Sequence, residues 1–120
     1  MAVKHIDLGD KYIPKTSNKD IIVEVEIGDA GDEVGAYSIF LGTEFIEANA
    51  PANIGKKADV VDKKTTISVT IPDVSEETNW TSMTVFVKEG SGAPTQFGPY
   101  RFELENHLDT AIYTLKLSHK

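Results

Sequence analysis

A chain of 120 residues with 40% hydrophobic and 26% charged side chains is long enough to bury one hydrophobic core and too apolar to remain disordered. Its formal charge of −7 and its single arginine, Arg101, argue against reading nucleic acid and against charge-driven binding to anionic lipid. The absence of cysteine excludes disulfides, thiolate metal sites and cysteine nucleophiles.

The aliphatic residues are mostly β-branched: 11 Ile and 10 Val stand against 6 Leu, with 11 Thr besides. Such side chains lose rotamer freedom in a helix and pack well on a pleated sheet, so the composition predicts an all-β chain. The start, Met1 to Asp7, has no apolar h-region, and no run approaches a membrane span, so a cytoplasmic location is the default expectation. Residues 1–19 are expected as an extended N-terminal arm or an edge strand.

From Asp20 to Ile27, apolar Ile21, Val23, Val25 and Ile27 alternate with Ile22, Glu24 and Glu26, the period of a strand with one buried face. Gly28 to Asp32 breaks it with turn residues. Ala36 to Leu41 repeats the pattern through Tyr37, Ile39 and Leu41, and Gly42-Thr43 suits a two-residue hairpin turn back into Glu44 to Glu47. Residues 48–64 read as a long connection, with Ala58 to Asp62 as an edge strand inside it. Thr65 to Ile71 alternates cleanly and must stop at Pro72, which has no N–H for the ladder. A helical turn capped by Ser75 fits Asp73 to Asn79. Trp80 to Lys88 is a strand with Val85 and Val87 on one face, and Gly90 to Gly98 is a loop. Tyr100, Phe102 and Leu104 form the next strand face, Asn106 to Thr110 turns the chain, and Tyr113, Leu115 and Leu117 close it. About seven or eight short strands separated by turn chemistry predict one antiparallel β-sandwich domain over residues 1–120, of immunoglobulin-like, fibronectin-III-like or jelly-roll-like type.

Three groups of residues are candidates for function. Asp29, Asp32 and Glu33 put three carboxylates on a glycine-containing loop, and hard oxygen donors of this kind suit calcium, although the spacing matches no calcium-loop pattern. The plain alternative is a solvated turn. Lys56, Lys57, Lys63 and Lys64 flank the expected edge strand, where lysines block edge-to-edge pairing; against the eight acids between Asp20 and Glu47 they also offer a complementary contact between copies. Phe97, between Gln96 and Gly98, is either a lid folded onto the core or an exposed anchor for a partner. Exposed aromatic rings on a sandwich would also suit carbohydrate, but Tyr37 and Tyr100 share faces with aliphatic residues, and Trp80 is expected to plug an end of the core. His5, His107 and His119 lie far apart, with His119 near a terminus where disorder is the default. No catalytic set or phosphate-cradling loop is present, so the chain reads as a non-enzyme.

The run Ile67-Ser-Val-Thr-Ile71-Pro-Asp-Val74, then a polar turn to Trp80 and Val85-Phe86-Val87, resembles the region where immunoglobulin-like and fibronectin type III domains cross between sheets. The resemblance implies a sandwich and a change of sheet at this point, and it brings across no functional residue. The expectation is a non-catalytic interaction or structural module, a subunit or accessory domain of an assembly, meeting a protein partner or itself. A carbohydrate- or calcium-binding sandwich using loops at one end is the alternative.

Overall fold

The alternation read from the sequence becomes two layers of strands in a computed structural model that describes residues 2–28, 34–72 and 79–120. The strands are β1 (Val3–Lys11), β2 (Ile21–Ile27), β3 (Ala36–Leu41), β4 (Glu44–Ala48), β5 (Ala52–Gly55), β6 (Lys64–Pro72), β7 (Trp80–Glu89), β8 (Thr95–Glu103) and β9 (Thr110–Ser118), with one helical turn, α1 (Lys57–Val60). One sheet has the order β1-β9-β6-β3-β4 and the other β5-β2-β7-β8. The described residues thus hold nine strands where about seven or eight were expected.

The core lies between the central strands. Ile67, Val69 and Ile71 of β6 and Tyr113, Leu115 and Leu117 of β9 face Ile21 and Val23 of β2 and Met83, Val85 and Val87 of β7, all fully or almost fully buried. Each such aliphatic side chain contributes about 1.5–3 kcal/mol relative to an exposed one. The buried Tyr113 hydroxyl is satisfied across the interface, 2.8 Å from Thr81 Oγ1 of the opposite sheet. Pro72 is the last residue of β6, beyond which a central strand could not have kept its ladder. The chain changes sheet between Pro72 and Trp80, where the resemblance implied a crossing.

Three expectations are corrected. Residues 1–19 supply an edge strand, the second of their two readings, but β1 pairs parallel to β9 from Val3↔Thr110 to Lys11↔Ser118, so the expected antiparallel sandwich has one parallel pair. The segment expected as an edge strand at Ala58 to Asp62 contains most of α1: the Asp59 carboxylate reaches back to the Lys56 N–H at 2.8 Å and holds the turn, burying Val60 completely. Gly55 turns the chain into this helix at φ +104°, and a Cβ there would stand 2.8 Å from Asp59 Oδ2. The expected loop Gly90 to Gly98 ends early, because β8 begins at Thr95 and takes Phe97 inward opposite Val85. The helical turn over Asp73 to Asn79 falls almost wholly outside the described residues, as does the calcium group Asp29, Asp32 and Glu33.

Candidate functional site

The register of the strands gives the sandwich two distinct ends and one grooved face. At the end where β7 finishes, Glu89 turns into the protein and is 8% exposed. Its carboxylate accepts hydrogen bonds from the Tyr12 hydroxyl, from the Lys15 N–H at 2.9 Å, and from the Thr16 N–H and hydroxyl at 2.8 and 2.6 Å. The segment after β1 is thereby folded over the end of the core. Beside it, His119 is only 2% exposed. Its Nδ1 lies 2.8 Å from the Tyr12 carbonyl, which can only accept, so Nδ1 carries the proton; Nε2 then accepts from the Thr65 hydroxyl at 2.6 Å. The Tyr12 ring packs edge-on to Phe97 and His119, with centroids 6.5 and 6.3 Å away.

Burial alone would raise the Glu89 carboxyl, but the Lys15 N–H, the Thr16 hydroxyl, the Tyr12 hydroxyl and the Thr16 N–H outweigh it and bring the pKa down to about 2. Burial, then the hydrogen bond and charge of Glu89, push the Tyr12 hydroxyl above the ordinary tyrosine range. Burial holds the His119 imidazole below its ordinary value, against the opposing pull of the Tyr12 carbonyl. A carboxylate held this low, with its lone pairs occupied, is a poor proton acceptor near neutrality. The chemistry of this cluster is that of a clasp.

The opposite end, where β7 starts, is apolar and exposed. Trp80 is 51% exposed, Leu108 is 49% exposed, and Val3 and Val34 are more exposed still. Pairing places them together at this end: Val3 and Pro72 both lie opposite Thr110, Trp80 lies opposite Glu103, and Val34 and Leu108 each precede by two residues the start of a strand, β3 and β9. Leu108 has φ +71°, a left-handed conformation that costs an L-residue with a bulky side chain roughly 1–2 kcal/mol. Next to it, Asp109 is buried; Oδ1 accepts the Ala2 N–H at 2.8 Å, while Oδ2 has no hydrogen-bond partner among the described residues.

The third feature is a groove of about 280 Å³ on the outer face of the four-stranded sheet, lined by Glu24, Phe86, Lys88, Gly92 and Pro94. The Lys88 ammonium lies 3.6 Å from the Glu24 carboxylate across it.

The residues singled out in the sequence fare differently. Phe97 is 7% exposed and belongs to the core, which is the inward of its two readings and leaves it nothing to offer a partner as an anchor. Trp80, expected as a core plug, is instead exposed, because β7 begins at the very rim of the sheet. His119, expected as part of a disordered terminus, is buried. Lys56 pairs with Asp20 at 3.1 Å, so at this point the acidic stretch meets the lysine loop within one chain. Lys57 lies in α1, Lys63 lies alongside Gly42 of the hairpin turn, and Lys64 opens β6 opposite Ser118, so these lysines gather at the clasped end. Among the described residues no group of three or more His, Asp or Glu side chains is placed to hold a metal ion, and no helix is long and apolar enough to cross a membrane. Comparison with family models, with curated proteins and with solved structures finds no match. Sequence reasoning missed Tyr12, Glu89 and Leu108. The first two lie 77 residues apart, with no local pattern linking them. Leu108 did carry a signal, an apolar residue inside the polar turn Asn106-His107-Leu108-Asp109.

Proposed function

We propose that this chain is a non-catalytic interaction module, a subunit or accessory domain that meets a protein partner through its apolar end. The observation that supports this best is Leu108. Asparagine or glycine would suit its left-handed turn at less cost, and a polar residue would suit its exposure, yet leucine stands there at the same end of the sandwich as Trp80, Val3 and Val34. An exposed tryptophan is an anchor of the kind that dominates interface energetics.

Trp80 is the only tryptophan in the chain, so its fluorescence reports on this end alone. The test combines light scattering over a wide concentration range with capture from the native host, comparing the wild type with Trp80→Ser, Leu108→Asn and, as a control at another exposed site, Phe45→Ser. A complex or self-association that shifts Trp80 emission to shorter wavelength, and that weakens in the first two variants alone, is expected. A monomer that captures nothing, or a complex insensitive to both variants, overturns the reading.

A further inference from the structure

Lys88 and Glu89 are successive residues of β7 and therefore point to opposite faces of the sheet. Glu89 enters the clasp; Lys88 turns outward, two residues from Phe86, which pairs with Glu24 of β2. Over this face stands the loop between β7 and β8, and it is fixed in place. Gly90 donates its N–H to the Asp20 carbonyl at 2.8 Å, and Gly92 donates to the Glu89 carbonyl at 3.0 Å. The groove walled by Gly92 and Pro94 is thus anchored to the best-tied corner of the molecule.

We propose that this groove binds a single neutral sugar ring. Its volume of about 280 Å³ is at the lower limit of ligand pockets, room for a monosaccharide rather than a larger cofactor. Phe86 supplies a flat apolar surface whose negative face attracts the C–H bonds on one side of a pyranose. Glu24 accepts hydrogen bonds only and Lys88 donates them only, so the two together match hydroxyl groups, which do both. The pair is neutral as a unit. A charged ligand attracted by one member is repelled by the other, and an anion also meets the chain's net charge of −7. Because the wall is already held by backbone hydrogen bonds, binding orders little of the protein. The site lies on the outer sheet face under the loop between β7 and β8, and it is independent of the apolar end.

The test is an amide NMR titration of the whole chain with methyl β-glucopyranoside, methyl β-galactopyranoside and methyl α-mannopyranoside. At least one is expected to give saturable shifts at Glu24, Phe86, Lys88 and Gly92 with a Kd in the millimolar range, on the order of −4 kcal/mol. Phe86→Leu keeps an apolar side chain but loses the flat face, and weakens binding about tenfold, which corresponds to about 1.4 kcal/mol. Glu24→Gln keeps the fold whatever Phe86→Leu does, and it weakens the same ligand by removing the ionised acceptor. Absence of saturable shifts in the groove with all three glycosides, shifts centred on Trp80 instead, or affinity unchanged in Glu24→Gln and in a folded Phe86→Leu overturns the proposal.

Discussion

At the end of the sandwich where β7 stops, a carboxylate, a phenol and an imidazole are buried, and each is held by groups from distant parts of the chain. At the end where β7 starts, Trp80, Leu108, Val34 and Val3 stand about half exposed or more, and buried Asp109 Oδ2 has no hydrogen-bond partner among the described residues. The contrast sets matched polar groups at one end against exposed apolar groups at the other, where we propose the contact. Burying polar groups is favourable only when every one of them is matched, and Glu89, with four donors on its two oxygens, meets that condition. Large apolar groups left in water gain nothing for the fold, so they are free to serve a contact.

The comparison breaks first at Glu89. Glu89→Gln turns a charged acceptor of four hydrogen bonds into an amide facing the Lys15 and Thr16 N–H donors. It is expected to cost about 3 kcal/mol, read as a lower urea midpoint at unchanged slope. Removing the charge should also loosen the 12–16 segment, seen as faster amide exchange at Lys15 and Thr16.

Acid distinguishes the two ends next. His119 is held below its ordinary 6.5 in the fold, so its contribution to stability is complete above that value and is lost as pH falls toward its lowered folded value. Glu89 contributes fully above 4.5, and that contribution is lost between 4.5 and about 2. Melting temperature should therefore fall in two stages on acidification. His119→Asn is expected to remove the upper stage and Glu89→Gln the lower, each isolated as a difference from the wild-type curve. Identical pH profiles for wild type and both variants would show that the clasp does not govern acid stability.

The smallest effect on folding, and the most informative, belongs to the open end. Leu108→Asn relieves a left-handed leucine and removes exposed apolar surface, so it should raise stability by about 1 kcal/mol while weakening the proposed contact. A residue whose replacement improves the fold and harms the contact is retained for the contact. Loss of stability in Leu108→Asn would instead assign this leucine to the structure.

Much of this was legible in the residues themselves. The strands Ala36–Leu41 and Ile21–Ile27 follow from alternation alone, and Gly42-Thr43 announced its hairpin, with φ +60° at Gly42 as such a turn requires at its first central residue. Period-2 patterning is a local property of sequence, set by the pleat, and needs no knowledge of the partner strand. What fails is whatever depends on a distant neighbour. The residues of β1 carry only Ile6 and Leu8 as an inward pair, too few to declare a strand before β9 is beside it. Val60-Val61 is as good a strand dipeptide as any, but the Asp59 carboxylate and the turn at Gly55 coil it into α1.

The sequence by itself determined that the chain would fold as β-structure, which faces its main strands would bury and where those strands would end. Tertiary structure alone decided which side chains meet: Tyr12, Thr65, Glu89 and His119 become one cluster only because two sheet layers bring the ends of β1, β7 and β9 and the start of β6 to the same corner. It also decided that Phe97 is inside and Trp80 outside, since each lies on a strand face and only the packing of the second sheet tells core from rim. Burial is a property of the assembled layers, and an alternating strand carries no record of how far along its length the opposite layer extends.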